Sequence, residues 1–305
     1  MYDIVLTSPN AAEQSASTPV WCRAELMQAS AALHDYEPKL INVYKGEELL
    51  AQMPVYEQSY LGFTRLMPSK GSFYQGVHFY HNAGIVLARK GLDELRICSE
   101  LAIFLKKHYK KFNITLAPSN YDMRGFIWNK LKVQPLYTYV HDYTLYDYTL
   151  DAQPMGKERR KLRLADRQGY TFQEFLDASA FMELRNVMFK RKSMQWSKDG
   201  DRLKTYIEDL AKVGLIKQHN VCRDDKIVSI NIILQGDDQV AYSLFRSSVK
   251  EEMDKGVSLW HTDMLIKTME SSCKVLDFCG ANVPEVARFK ASMGHQLQLF
   301  FRVTN

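Results

Sequence analysis

The sequence predicts an α/β protein built from two successive copies of one unit, each a mixed twisted sheet flanked by helices. Three observations support this fold class. Apolar residues at helical spacing alternate with short strand-like runs along the chain. The order of these elements in the first half recurs in the second half. The length of 305 residues also exceeds what one hydrophobic core usually serves.

The first half shows both kinds of period. Apolar residues recur every three or four positions in three stretches, which predicts helices over residues 19–33, 91–111 and 122–130. Short apolar runs predict strands over residues 40–44, 49–56 and 113–117. The first two strands flank the turn Lys45-Gly-Glu-Glu48, so we expect them to pair as a hairpin.

The second half contains more elements of the same two kinds. The helical pattern predicts helices over residues 157–168, 177–191, 199–213, 258–271 and 284–293. Strands are expected over residues 215–222, 227–234, 240–245, 275–278 and 297–303. Gly214 follows the third helix and is predicted to cap its C-terminus. The first three of these strands, separated by short polar turns, predict an antiparallel meander.

Residues 40–130 and 220–293 share one order of elements, so we predict an internal duplication in which both stretches have the same fold. The Tyr-rich segment 133–150 lies between them. Eighteen extended residues would reach roughly 59 Å at about 3.3 Å each. A domain of this size is only about 40 Å across. The segment must therefore bend back or cross between sheets, and we place the domain boundary between residues 150 and 151.

The composition indicates a soluble globular protein. Hydrophobic residues make up 46% and charged residues 25%, which excludes collagen-like, low-complexity and largely disordered chains. The net charge of +5 is mild, so it permits an anionic partner without requiring one. The longest nearly apolar run, residues 227–234, is far shorter than the roughly 20 residues of a membrane helix. We expect no membrane span, no signal peptide and a cytoplasmic location.

The cysteine and histidine patterns indicate neither disulfides nor a metal. Five cysteines form an odd set without a Cys-x-x-Cys pair, which favours buried, reduced thiols. The pair His78-x-x-His81 has no third ligand nearby. No P-loop, dinucleotide fingerprint or Gly-x-Ser-x-Gly occurs. The sequence predicts no metal site and no permanently bound cofactor.

The most specific segment is Lys274-Val-Leu-Asp-Phe-Cys-Gly-Ala-Asn282, followed by a predicted helix that carries Arg288-Phe-Lys290. It resembles the Asp-Phe-Gly-Gly…Phe-Lys-x-x-Phe-Gly signature of the Fem-type peptidoglycan bridge aminoacyltransferases and their relatives, which are tandem GNAT (acyl-CoA N-acyltransferase) folds. The resemblance covers residues 157–303 well and residues 1–150 mainly by element order. Cys279 and Met293 depart from the signature, which often has Gly and usually Phe there.

This resemblance implies an acyl- or aminoacyltransferase made of two GNAT-like domains. Residues 1–150 would form a degenerate copy of the domain, and residues 151–305 would form the copy that carries the motif. The resemblance also implies that Phe289 and Lys290 lie beside the acyl carbonyl and that Lys290 offsets charge on the developing oxyanion. The spacing alone is more typical of a solvated lysine on an amphipathic helix. The first copy has Ile127-Trp128 in the corresponding place and is not expected to form a second active site.

Five further residues are candidates for substrate binding. Arg246 ends a predicted core strand, where charge in an α/β sheet points towards the binding crevice. Arg191 resembles the family's acceptor-holding arginine, although a surface ion pair is an equal alternative. The remaining candidates lie near the predicted donor and acceptor loops: Ser247, Asn282 and Trp260.

The acyl donor is the least determined feature. Segment 246–256 lacks the Gln/Arg-x-x-Gly-x-Gly/Ala loop that holds the CoA pyrophosphate, which argues against acetyl-CoA. The basic helix over residues 157–168 could meet a phosphate-bearing donor or be a solvated face. We expect aminoacyl-tRNA or acyl-CoA as co-substrate and a small-molecule or cell-wall-precursor-like amine as acceptor.

Two other function classes stay open. A protein that kept the fold but lost the donor loop would be a non-catalytic GNAT-fold binding protein. The degenerate segment 246–256 favours this alternative, and the intact Phe289-Lys290 pair opposes it. A nucleic-acid binder led by the basic helix receives only weak support from the net charge.

Overall fold

A computed structural model describes residues 2–13, 18–81, 86–145, 154–191, 200–236 and 239–305. The chain divides into two compact units. Unit 1 contains Met1–Leu136 and Leu299–Asn305, and unit 2 contains Tyr137–Gln298. The predicted boundary after residue 150 therefore moves to Leu136, because one long strand begins in unit 1 and ends in unit 2.

Unit 1 combines a mixed, mainly antiparallel sheet with helices. Its helices are α1 (Ala24–Ala32), α2 (Leu87–His108) and α3 (Arg124–Trp128), with 3-10 turns at Ala11–Glu13 and Val20–Cys22. Its strands are β1 (Asp3–Thr7), β2 (Glu37–Lys45), β3 (Glu48–Tyr60), β4 (Phe63–Met67), β5 (His78–Phe79) and β6 (Lys111–Leu116). Strands β1 to β4 pair antiparallel in sequence order, β5 pairs with β3, and β6 lies parallel to β4.

The core of unit 1 forms between this sheet and α2. Leu101 and Leu105 of α2 are buried against the sheet residues Ile41, Met53 and Leu116. The α2 sequence places apolar residues every three or four positions, which produces this buried stripe.

Unit 2 repeats the arrangement with more helices. Its first strand, β7 (Lys132–Asp142), begins in unit 1. The following helices are α4 (Gly156–Ala165), α5 (Ala178–Arg191), α6 (Gly200–Lys212), α7 (Lys250–Asp254), α8 (Val257–Met269) and α9 (Pro284–Ser292). The strands are β8 (Thr171–Glu174), β9 (Ile216–Arg223), β10 (Lys226–Gln235), β11 (Val240–Ser248) and β12 (Val275–Asp277). The last strand, β13 (Gln296–Thr304), begins in unit 2 and ends in unit 1.

The sheet of unit 2 has the pairing pattern of unit 1. Strands β8 to β11 pair antiparallel in sequence order, and β12 lies parallel to β11. Helix α8 packs on this sheet, where Leu265 shares a buried cluster with Ile233, Ala241 and Leu276. The predicted meander, the predicted repeat of element order and the Gly214 cap are confirmed. At that cap, the N–H of Leu215 donates to Leu210 O at 2.9 Å.

Each sheet is completed by a strand that follows the other unit's helices in the chain. Strand β13 follows α9, but its end pairs with β6, with Val303 opposite Ile114. Strand β7 follows α3, but its end pairs with β12, with His141 opposite Leu276. The prediction that segment 133–150 crosses between sheets is confirmed for its described part, and residues 146–150 lie outside the described residues.

Several short elements were not predicted from the sequence. Strands β1, β4, β5 and β8 have two to five residues, and helix α7 has five, so their periods are too brief to detect. All five cysteines are free, and only Cys279 is less than fully buried. Among the described residues, no helix combines the length and apolar character needed to cross a membrane.

The pairing of β13 with β6 leads to a stability prediction. Val303 is fully buried in the core of unit 1. We expect Val303→Ala to lower the free energy of unfolding by about 2 kcal/mol, because buried methyl groups are lost and a cavity forms. Urea unfolding measures the loss, and hydrogen exchange should accelerate at the β6 amides. Val187→Ala, at an exposed position on α5, should change stability by less than about 0.5 kcal/mol. Equal losses for the two variants would contradict the strand assignment.

Candidate functional site

The loop after β12 is fixed by one buried carboxylate. Asp277 is 2% exposed. Its Oδ1 accepts hydrogen bonds from Thr138 Oγ1 at 2.6 Å and from the Cys279 N–H at 2.7 Å. Thr138 Oγ1 in turn accepts a bond from the Gly280 N–H at 3.1 Å. The strand end and the neighbouring β7 therefore determine the path of the loop.

The same loop is bound to β7 further along. The Ala281 N–H donates to Tyr137 O at 2.6 Å. Asn282 accepts from the Tyr137 N–H at 2.9 Å and donates through Nδ2 to Tyr137 O at 3.2 Å. Cys279 and Gly280 both have positive φ, 50° and 75°, a conformation that a glycine adopts easily and a cysteine rarely. Asn282 thus uses both ends of its amide to hold the loop.

The ammonium of Lys290 lies at the centre of this loop. Lys290 is in the last turn of α9 and donates to three consecutive carbonyls: Phe278 O at 2.5 Å, Cys279 O at 3.2 Å and Gly280 O at 2.5 Å. Burial lowers the pKa of Lys290 to about 8, with a further lowering from Arg246 and an opposing effect of Cys279 and Asp277. A lysine at this pKa changes charge within the physiological range.

A second cation, Arg246, is partly buried near the end of β11. Its Nη1 donates to Thr262 Oγ1 at 2.6 Å, and its Nη2 donates to Ser258 O. Its Nε is buried and has no hydrogen-bond partner. Among the described residues no carboxylate forms an ion pair with Arg246, and burial lowers its pKa to about 10. The guanidinium carbon is 5.7 Å from the centre of the Phe289 ring.

Phe289 also lines a pocket of about 250 Å³ within unit 2. The pocket walls come from α4, the end of α7, the start of α8 and the last turns of α9. Its lining residues are Lys157, Glu158, Lys161, Met253, Gly256, Ser258, Leu259, Arg288, Phe289 and Ser292. Arg246 is not a lining residue, but it contacts two residues that are: it bonds to Ser258 and lies by the Phe289 ring.

The pocket is positively charged. Lys157, Lys161 and Arg288 oppose a single carboxylate, Glu158. Gly256 precedes α8 with a φ of 94°, and a Cβ there would lie 3.2 Å from Ala165 Cβ, so α8 begins in close contact with α4. The first turn of a helix carries N–H groups without intrahelical acceptors and a partial positive charge. The arrangement is suited to an anion.

The other predicted substrate residues are distributed around this pocket. Arg191 lies at the end of α5, where its Nη2 is 3.9 Å from Sδ of the pocket residue Met253. Trp260 is 8% exposed, packs in a buried cluster and donates from Nε1 to Asp166 Oδ1 at 2.9 Å. Ser247 is buried on β11, and strand alternation directs it to the face opposite Arg246. The structure groups Phe289, Lys290 and Arg246, with Arg191 at the margin.

Sequence reasoning did not identify Glu158, Thr138, Ser258 or Thr262. Glu158 stands within a run of basic residues that resembles an exposed helix face. Thr138 contacts Asp277 across 139 positions, a distance over which the sequence carries no signal. Among the described residues, no cluster of three or more His, Cys, Asp and Glu is arranged to hold a metal ion. His81 binds Glu94 Oε1 at 2.7 Å.

Comparison with known proteins defines the fold. No family model matches the sequence, and no curated protein matches it. The structure is similar to FemX, with a TM-score of 0.66 and 14% identity over 92% of this chain and 90% of that one. A tandem GNAT protein from the clavulanic acid biosynthesis pathway matches 100% of this chain and 98% of its own, with a TM-score of 0.54 and 10% identity. The chain has a Fem-like tandem GNAT fold. The predicted fold class is thereby confirmed.

A third similar solved structure is L-PGS from Bacillus licheniformis. It has a TM-score of 0.57 and 12% identity over 91% of this chain and 86% of that one. At such identities the likeness establishes the GNAT fold alone. The chemistry depends on the residues of the pocket and of the 278–282 loop.

The two partly buried cations predict a measurable coupling. The charge of Arg246 lowers the pKa of Lys290, so Arg246→Met should raise that pKa above about 8. An NMR titration of protein carrying isotope-labelled lysine measures it. Arg191→Met is the control, because Arg191 is not among the charges that act on Lys290. An unchanged pKa in Arg246→Met would show that the two cations do not interact.

Proposed function

We propose that this protein is an N-acyltransferase that moves an activated acyl or aminoacyl group from an ester or thioester donor to an amine. One observation carries the proposal. Arg246 and Lys290 are two partly buried cations whose charges interact, and no described carboxylate forms an ion pair with either. A buried positive charge without a counter-ion favours whatever negative charge a substrate develops beside it.

The reaction that matches this charge is acyl transfer through a tetrahedral intermediate. The amine nitrogen attacks the acyl carbonyl, whose oxygen takes up negative charge. The carbon–oxygen or carbon–sulfur bond of the donor then breaks, and the amine proton leaves to water or to the leaving group. In this proposal the oxyanion replaces one of the three carbonyls at Lys290 Nζ. Phe289 positions the acyl carbon, and Arg246 adds positive charge from behind the ring.

The donor is proposed to carry phosphate. Lys161, Arg288 and the start of α8 supply positive charge at the pocket. The segment before α8 has no glycine-rich loop and carries three acidic residues, Glu251, Glu252 and Asp254, which oppose the binding of a CoA pyrophosphate. This supports aminoacyl-tRNA over acyl-CoA as donor.

The acceptor is proposed to be a small-molecule or cell-wall-precursor-like amine held in part by Arg191. We also propose a cytoplasmic protein without a permanently bound cofactor. The matching strand order of the two units supports their origin by duplication.

One observation favours a second candidate, a non-catalytic GNAT-fold binding protein. All three hydrogens of the Lys290 ammonium are used by backbone carbonyls. That geometry equally suits a lysine that only pins the 278–280 loop. The two candidates differ in what a substitution at Lys290 does to acyl transfer.

Lys290→Met tests the proposal. Charged tRNA and acyl-CoA are offered with a panel of amines, and transfer is followed by mass spectrometry. Turnover should fall about 10²–10³-fold, as for loss of one oxyanion contact. Lys274→Met, at an exposed lysine bonded to Gln239, should keep full activity. Thermal unfolding of each variant shows whether the fold persists.

The pH dependence of the activity distinguishes a role of the Lys290 charge from a purely structural role of this side chain. Activity that needs the ammonium should decline as pH rises through about 8, where Lys290 loses its proton. In Lys290→Arg the charge persists, so any remaining activity should lack this decline. Unchanged turnover in a folded Lys290→Met variant would contradict the acyltransferase proposal and favour the binding protein.

A further inference from the structure

Glu158 is an acid whose environment the fold alone does not explain. It lies in the first turn of α4, is 8% exposed and lines the pocket. Its Oε2 is enclosed and accepts no hydrogen bond. The nearest cation, Lys157 Nζ, is 3.6 Å from Oε1, which is an ion pair beyond hydrogen-bond distance. A buried carboxylate oxygen is rarely left without a donor.

The usual local partner of such a glutamate is taken by another group. A glutamate at the third position of a helix commonly accepts a bond from the N–H of the residue before the helix. Here that residue is Met155, and its N–H donates to Ser292 O at 2.9 Å. The local donor is therefore not available to Glu158. Its Oε1 also has no hydrogen bond to a described residue, and because Glu158 lines the pocket, Oε1 is the oxygen that a ligand there can reach.

The charges of the pocket determine what kind of donor fits. Three cations, Lys157, Lys161 and Arg288, surround one carboxylate and the start of α8. Neither Lys161 nor Arg288 forms an ion pair with a described residue. An ammonium ligand would be repelled by these cations, whereas a phosphate would be attracted. The ligand that satisfies both sides carries a phosphate for the cations and neutral hydroxyls for Glu158.

We propose that Glu158 is a specificity-determining residue that accepts hydrogen bonds from the ribose hydroxyls of a ribonucleotide. The phosphate lies against Lys161, Arg288 and the first turn of α8, and Phe289 offers an aromatic surface for the base. Acidic residues read ribose hydroxyls in this way in other nucleotide sites. The inference deepens the proposed function, because the nucleotide belongs to the acyl donor.

The test compares AMP with 2′,3′-dideoxy-AMP by isothermal titration calorimetry. The wild-type protein should bind AMP about tenfold or more tightly than the dideoxy compound, as expected for charge-assisted hydrogen bonds. Glu158→Ala should abolish this preference, and Glu158→Gln should reduce it. Glu285→Ala, at an exposed acid of α9, should retain it. Lys161→Met should weaken both ligands equally, because it acts on the phosphate.

Two further arms identify the source of the ribose. The first measurement compares the affinity for a short single-stranded RNA with a free 3′ end to the affinity for the same sequence as DNA. The second compares the affinity for CoA to the affinity for dephospho-CoA. A Glu158-dependent preference for RNA over DNA assigns the ribose to an RNA donor. Binding of CoA that Glu158→Ala weakens assigns it to CoA. Both outcomes support the inference.

Other outcomes overturn it. Equal affinity of the wild-type protein for AMP and the dideoxy compound would do so, as would a preference that survives Glu158→Ala. Because these are binding measurements, they do not depend on turnover. Ribose-selective binding without acyl transfer would refute the proposed function alone, and transfer without ribose selectivity would refute the role of Glu158 alone.

Discussion

The site depends on one ammonium group held by three consecutive carbonyls. Lys290 can reach Phe278, Cys279 and Gly280 together only because the loop turns through two left-handed residues. Asp277 fixes this loop by accepting hydrogen bonds from Thr138 and from the Cys279 N–H. The result is a partly buried positive charge whose cost in desolvation is offset by three carbonyl dipoles and, without a direct ion pair, by the charge of Asp277. A charge held in this way keeps its attraction for a passing anion.

The positive charges near Lys290 extend to the pocket through Arg246 and Phe289. Arg246 forms no ion pair with a described residue, and its guanidinium lies by the ring of Phe289, which lines the pocket. Arg246 and Lys290 add positive charge near the pocket residue Phe289, and Lys157, Lys161 and Arg288 add positive charge in the pocket itself. The single acid, Glu158, then stands out as the group that selects among anions.

The sequence predicted those parts that local patterns determine. Alternating apolar residues marked β9, β10 and β11, and the Asp277 to Lys290 segment located the central loop and its lysine. Contacts between distant positions were not predictable: Asn282 binds Tyr137 across 145 residues, and Val303 completes a sheet that begins near the N-terminus. Glu158 was missed for a different reason. Its neighbours Lys157, Arg159, Arg160 and Lys161 give the pattern of a solvated helix, and only the packing of α4 against α8 and α9 buries it.

The most direct test of the central claim is the pKa of Lys290 in the presence of a phosphonate that mimics the tetrahedral intermediate. The NMR titration is carried out without the phosphonate and with a saturating concentration of it. If the oxyanion binds at the ammonium, the negative charge should raise the pKa of Lys290 well above about 8. A pKa that stays the same while the compound is bound would contradict the account, because the anion would then lie away from Lys290.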